Sequence, residues 1–453
     1  MKSSSTDLTQ GGIAKSLIAF TLPLFAAQIL QALYNSVDAI VVGRFVGTTA
    51  LAAVSASYDV AQLLVSFFTG LSAGTGVVFA QYFGAQDYKK LKSAIHTAVA
   101  FSVIIGVVMA ALGIVLSKPL LRIVDCPEDV MADALLYLQI YLAGVLFTAI
   151  YNVGACVLRA VGDSRNPFFY LALSGAVNIV LDVVLVAFFD MGVAGAGAAT
   201  VISQLLSVIL VFRRLMLAND VYRISLRELK IDRTLLVRIV QLGLPAAVQM
   251  CLTSVSNLFV SRYINGFGTE VIAGAGAAKK IDKFLAMVGQ NMGLAIATFI
   301  GQNVGAGKMR RAFSGLRMSL LLSFIYVAVV GGAAYIFTPA IVGIFTTDMS
   351  AAVYGIDMLR TMLPFFYLQF VVHTMANACR GFGKSVTVTV LTLAGMIGCR
   401  QIFLAVTMHI NRVVENVYYG YPAGWFFGSL FVAVYYIVTI RRKFPDDARI
   451  RLK

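Results

Sequence analysis

The sequence predicts an all-α polytopic membrane protein. Twelve transmembrane helices form two six-helix lobes related by a pseudo-twofold axis along the membrane normal. Three observations predict it: apolar runs long enough to cross a bilayer, basic residues gathered on one side of those runs, and a motif order that occurs twice.

The runs come first. Of 453 residues, 59% are hydrophobic and 13% charged, whereas a soluble chain carries about 25% charged residues. The apolar residues gather into stretches of about 20 or more, the length that spans a ~30 Å hydrocarbon core as a helix. Twelve spans are read at approximately 14–43, 50–81, 92–117, 131–158, 167–190, 192–212, 239–264, 271–302, 314–338, 351–378, 385–409 and 421–440.

The charges come next. The formal net charge is +15. With a cytoplasmic N-terminus, the inner segments hold 26 Lys and Arg and the outer segments 5. That asymmetry is a positive-inside signal. It places both termini in the cytoplasm and makes the basic excess a topology device, so no nucleic-acid partner is expected. The polar start "MKSSSTDLTQGG" leads into a span longer than a signal-peptide core, with no small-residue cleavage site, so no cleaved signal is expected. The five Cys show no CxxC spacing and carry no disulfide or metal signature.

The repeat completes the argument. At a shift of 221, "FAQYFGAQ" meets "IGQNVGAG" and "CVLRAVGDS" meets "NACRGFGKS", pairing Gln81 with Gln302 and Arg159 with Arg380. At a shift of 222, Pro23 meets Pro245 and Asn35 meets Asn257. Six spans per half is an even number, so both halves insert in one orientation, as in parallel-repeat transporters. The expected organisation is an N-lobe at 1–212, a basic cytoplasmic linker at 213–238 that is partly an amphipathic helix, a C-lobe at 239–440, and a cytoplasmic tail at 441–453.

Polar residues inside the spans are the candidate machinery. Asp38, Asp182 and Thr200 lie about 9, 10 and 12 Å from the outer ends of spans 1, 5 and 6 at 1.5 Å per residue. Asn178 shares a helix face with Asp182. A carboxylate at that depth costs at least ~2.5–3.5 kcal/mol, and intramembrane acids mark ion or proton paths. Two acids without a nearby base share a proton or take up a cation. A hard cation such as Na⁺ would find oxygen ligands on Asp38, Asn178, Asp182 and Thr200. A buried structural pair is the plainer reading of the acids, and helix–helix contact that of Thr200. In the second half Val260 stands where Asp38 would be. Span 8 carries "AAKKIDKF", where Asp282 is expected to pair locally with lysine, giving a gate or local ion pair of Lys280, Asp282 and Lys283. Gln369 and His373 stand one turn apart on span 10. With Tyr34, Asn35 and Asn257 they are candidates for the substrate cavity.

"LPLFAAQILQALYNSVDAIVVGRF", "AQYFGAQD", "LRAVGDSRNP", "NIVLD", "MGVAGAGAAT" and "GQNVGAGK" together resemble the MATE (multidrug and toxic compound extrusion) family over about residues 12–440, in its bacterial DinF-like branch. The resemblance implies an N-lobe site at Asp38, Asn178, Asp182 and Thr200, and a helix-bending proline at Pro23. The NorM-like branch has acids in spans 7 and 10 of the C-lobe, where this chain holds Thr253 and Gln369. The implied activity is secondary antiport in the cytoplasmic (inner) membrane. Organic, often cationic, drugs or toxic compounds leave by rocker-switch alternating access in exchange for H⁺ or Na⁺. No enzymatic activity and no cofactor are expected beyond the coupling ion. The partners are a small organic substrate and the lipid bilayer, and the chain is expected to act as a monomer. The alternative is a flippase or exporter of lipids or lipid-linked saccharides from the same superfamily, with Lys279, Lys280 and Lys283 facing a diphosphate. A primary pump is disfavoured, since "GQNVGAGKM" has the wrong spacing and no Ser or Thr for a nucleotide loop.

Overall fold

A computed structural model of the protein describes residues 7–442 apart from Asp125, Asn219, Asp220 and Thr347, and leaves aside the side chain of Asp59. The expected tail at 441–453 thus lies, from 443 onward, outside the described residues.

Every regular element among the described residues is helical. The first half contains α1 (Ile13–Phe45), α2 (Thr48–Gly84), α3 (Tyr88–Ile123), α4 (Met131–Ala160), α5 (Arg165–Asp182) and α6 (Gly192–Met216). The second contains α7 (Arg233–Asn265), α8 (Thr269–Gly305), α9 (Met309–Tyr326), α10 (Met349–Met362), α11 (Phe366–Gly381), α12 (Ser385–Leu393), α13 (Arg400–Ile410) and α14 (Val414–Tyr435). Wider π-helical turns extend α5 over Val183–Phe188, α9 over Val327–Gly331 and α14 over Tyr436–Arg441, and join α12 to α13 over Ala394–Cys399.

Eleven continuous helical runs are long and apolar enough to cross a membrane. The twelfth span is α10 with α11, broken by a 3₁₀ turn at Leu363–Phe365. Pro364 explains the break, because proline has no N–H to donate and crowds the carbonyl one turn earlier. Twelve spans, six in each half, match the expected fold class.

The backbone repeats as the sequence does. Positive φ occurs at Gly47 and Gly268, at Gln86 and Gly307, and at Gly162 and Gly383, each pair 221 residues apart. Each follows or precedes a long helix, where a left-handed residue turns the chain. Glycine holds five of these six places because it alone meets no Cβ penalty there.

The described chain forms two compact units. The N-terminal unit contains Leu22–Ala247, and the C-terminal unit contains Leu8–Thr21 with Val248 onward. The boundaries of these units fall inside α1 and α7. Both cuts lie within three residues of Pro23 and Pro245, where a helix loses a hydrogen bond and can change direction.

Small residues explain why the first part of α7 stays with the N-terminal unit. A Cβ on Gly74 would sit 2.2 Å from the Leu242 carbonyl oxygen, and one on Gly70 2.5 Å from Ala247 Cα. Such direct backbone approach is the packing that small residues permit between membrane helices. The Leu8 segment is tied to the C-terminal unit by polar contacts. Leu8 N–H donates to Gln302 Oε1 at 3.1 Å, and Asn303 Nδ2 donates to Leu8 carbonyl at 3.2 Å.

The segment between α6 and α7 differs from expectation. Among its described residues the regular structure before α7 is a single 3₁₀ turn, Leu226–Glu228, and α7 itself begins at Arg233. The two ends of the expected 213–238 stretch fall in α6 and α7, and no separate amphipathic helix forms among the described residues between them. The chain is instead pinned to α3: Ser225 N–H donates to His96 Nε2 at 3.2 Å, Asp232 N–H donates to Thr97 Oγ1 at 3.1 Å, and Lys92 pairs with Glu228.

Candidate functional site

In the N-terminal unit, α1, α5 and α6 bring the predicted residues together. As the first and fifth of alternating spans, α1 and α5 run the same way. Gly175 sets their register: a Cβ there would lie 3.0 Å from Tyr34 Cδ1, so the absent side chain lets Tyr34 lie against α5. One turn on, Asp38 comes level with the stretch between Asn178 and Asp182. Helices α5 and α6 are joined by Ser207 Oγ donating to Ser174 Oγ at 2.7 Å. The apolar wall beside the polar group is Val41, Val42, Tyr137, Val186, Val193 and Ala196.

Asp182 is fully buried, Asn178 is 3% exposed and Asp38 is 9% exposed. Neither acid forms an ion pair among the described residues. Among the described residues, both carboxylate oxygens of Asp182, Oδ1 of Asp38, and both polar atoms of the Asn178 amide have no hydrogen-bond partner. Such unpaired buried groups are rare in folded proteins and need an explanation. Asp38 and Asp182 lie within electrostatic reach of each other. Thr200 donates to its own helix at Ala196 carbonyl, 3.1 Å away. Asp182 also ends the regular part of α5, so the π turns begin at the residue after it. Such insertions are frequent at functional sites. Tyr137 of α4, absent from the sequence reading, is within reach of Asp38, Asp182 and Thr200. Nothing in its own stretch of sequence marks it, because the contact is made across helices.

The C-terminal unit holds a different polar set. Arg400, 5% exposed, donates through Nη1 to Asn257 Oδ1 at 3.1 Å and through Nη2 to Ser256 Oγ. Its guanidinium carbon lies 5.6 Å from the Tyr421 ring. Its stem passes over Gly424, where a Cβ would meet Arg400 Cβ at 3.3 Å. On α11, Gln369, His373, Asn377 and Arg380 recur at helical spacing along one face. Arg380 is buried and donates to Asn377 Oδ1 at 3.0 Å and to Gln249 Oε1. Neither buried arginine meets a carboxylate among the described residues.

Of the expected cavity residues, Tyr34 and Asn35 thus stand on α1 before Asp38, while Asn257, Gln369 and His373 belong to the arginine-bearing unit. Gln369 Oε1 is buried without a partner. The expected ion pair of Lys280, Asp282 and Lys283 does not form. Lys279 reaches across to Ser261 Oγ at 2.9 Å, Lys280 and Lys283 are exposed, and Asp282 Oδ1 is buried without a partner. Lysines on the outer face of α8 cannot turn back to an acid on its inner side. Arg400 was legible only as the single cation in an apolar span.

Comparison with known proteins adds the family. A MatE family profile matches residues 23–184 and again residues 245–406, one copy per half. "Probable multidrug resistance protein YoeA" of Bacillus subtilis is 29% identical, over 95% of this chain and 94% of its own. "Probable multidrug resistance protein NorM" of Thermotoga maritima is 25% identical, over 84% and 82%. Among solved structures, an outward-facing multidrug resistance MATE family transporter of the MOP superfamily superposes with a TM-score of 0.86 at 24% identity, covering 98% of both chains. A MOP superfamily transporter from Pyrococcus furiosus gives 0.87 at 24%, again over 98% of both. Two profile copies in register with the internal repeat cover most of the chain, and the protein belongs to the MatE family of membrane transporters.

Proposed function

We propose that the protein is a secondary antiporter that exports organic cations in exchange for H⁺ or Na⁺. The observation that carries this reading is the set of five unpartnered buried polar atoms on Asp38, Asn178 and Asp182, with no ion pair to either acid. A proton on one carboxyl, or a cation between the two, meets those unsatisfied groups and lowers their mutual repulsion. The relatives' names, which speak of multidrug resistance, support export as the direction of transport.

The coupling follows from competition for charge. With both acids ionised, the N-terminal unit is negative and attracts an organic cation. Loading H⁺ or Na⁺ from outside lowers the negative charge of Asp38 and Asp182 and drives the cation off. A ligand can shift a conformational equilibrium only through its differential affinity for the two states. Alternation of the two faces by rocking of the lobes, with both termini in the cytoplasm, completes the cycle.

The test is transport by the purified protein in proteoliposomes, with pH and Na⁺ gradients imposed separately. Uptake or release of an organic cation should follow one of the two gradients. Equal rates with neither gradient present would overturn the reading. Topology is tested by Arg227→Cys in intact cells, which should react with a membrane-impermeant thiol reagent only after the membrane is opened.

A further inference from the structure

At the end of the C-terminal unit where α7 and α13 finish, a cavity of about 490 Å³ is lined by Phe259, Arg262, Tyr263, Gln401, Met408 and Arg412. We propose that this pocket binds an amphiphilic anion, a flat or chain-like apolar body bearing a carboxylate or phosphate group.

Charge carries the first part of the argument. Two guanidiniums face the cavity, and no acidic residue lines it. Glu270 and Glu415 stand in the adjacent first turns of α8 and α14, yet neither is ion-paired with an arginine among the described residues. A guanidinium does not lose its proton in a protein, so both charges are permanent. A third lies behind the wall. Gln401 Nε2 donates to Ser256 Oγ at 3.1 Å, and that hydroxyl accepts from the buried Arg400. Arg400 has neutral partners, and its Nε has none. Arg262 and Arg412 are exposed at the mouth and Arg400 is buried behind it, and three like charges around one recess concentrate anions there.

Shape carries the second part. Arg412 could cap the carbonyl end of α7, but it makes no hydrogen bond to those carbonyls among the described residues. Gly266 instead leaves room for it: a Cβ there would meet Arg412 Nη2 at 3.1 Å. The guanidinium therefore lies over the last turn of α7 at the pocket wall. Phe259, Tyr263 and Met408 supply aromatic and thioether surface that adapts to an apolar body. The volume is within the range of small-molecule sites. Arginine's planar fork matches carboxylate and phosphate oxygens in pairs.

A soluble organic anion and an anionic lipid headgroup share this chemistry, and two measurements on the full-length protein separate them. In uncharged detergent, calorimetric titration with 2-naphthoate should give saturable binding, and neutral 2-naphthamide should give none. Native mass spectrometry should compare retention of phosphatidylglycerol with that of phosphatidylcholine. Arg262→Gln and Arg412→Gln should each weaken the anion that uses the pocket about tenfold, the scale of one lost charge-assisted contact. Met408→Glu, which adds an acid to the wall and leaves both arginines in place, should do the same if an arginine variant fails to fold. Loss of naphthoate binding in the variants assigns the pocket to a soluble anion, and loss of phosphatidylglycerol assigns it to a headgroup. Binding of neither anion, or binding of both that is indifferent to all three substitutions, overturns the proposal. These are equilibrium measurements without an ion gradient, so the result stands apart from that of the transport test.

Discussion

Spans 5 and 11 are repeat partners, and they carry opposite charges. Span 5 places Asp182 just before π turns at Val183–Phe188, while span 11 places Arg400 just after π turns at Ala394–Cys399. Both side chains are at least nine-tenths buried, and neither forms an ion pair among the described residues. Each cluster also rests on one glycine that admits a neighbour's side chain: Gly175 under Tyr34, Gly424 under Arg400. The difference is chemical. An aspartate can gain and lose a proton within a transport cycle, whereas an arginine cannot. The duplicated scaffold thus carries a switchable charge in one half and a fixed one in the other.

The largest expected effect breaks the switchable half. Asp38→Asn and Asp182→Asn should each abolish gradient-driven export in proteoliposomes, while insertion and yield hold, because a neutral amide is cheaper to bury than a carboxylate. The double variant should be no worse than either single one, since groups that act as a unit are not additive. Full export by a well-folded Asp38→Asn protein would remove the acids from the mechanism.

Arg400→Met sharpens the other side. The stem is kept and an unpaired buried charge is removed, so thermal stability should not fall. Gradient dependence should survive, because the fixed charge does not cycle. Loss of coupling by this variant would show that the two clusters act as one site.

The glycines should give smaller effects. In Gly175→Ala the new Cβ stands 3.0 Å from Tyr34 Cδ1. Pushing the ring away misaligns α1 with α5, at a cost of about 1–3 kcal/mol for overpacking, and export should slow about tenfold. Gly424→Ala meets Met396 carbonyl at 3.1 Å and should lower the melting temperature with less effect on export.

The smallest effect comes from an exposed pair. The Lys92 ammonium, hydrogen-bonded to Glu228, holds that carboxyl below its ordinary range. A depressed acid stabilises the fold above its unfolded pKa and loses that contribution as the pH falls through the folded one. Lys92→Ala should therefore lower the melting temperature slightly at neutral pH and leave it unchanged at pH 3, so that the acid-side fall becomes shallower; the effect is small because solvent screens such a pair. Melting curves between pH 3 and pH 7 would test this.

The spans, the repeat and the common level of Asp38 and Asp182 were legible because they depend on hydrophobic period and helix rise. Partner choice across helices was not. Lys279 passes over its sequence neighbour Asp282 for Ser261 on α7, and Tyr137 reaches the acids from α4. Arg400 has Asn257 as a partner 143 residues away. The break at Pro364 and the lack of an amphipathic helix among the described residues between α6 and α7 were not legible either. The first depends on whether neighbours can support a kinked span, and the second on contacts made by α3.

The position of the unit boundaries has a consequence for biosynthesis. Residues Leu8–Thr21 are translated before Leu22–Ala247 but belong with the helices from Val248 onward, and the start of α7 up to Ala247 belongs with the unit that precedes it. Neither unit can finish from its own half of the message. A gene cut in the middle of the α6–α7 segment would yield two polypeptides, each lacking a piece held by the other. The two are expected to be rescued only when made together, and the order of translation becomes part of the assembly pathway.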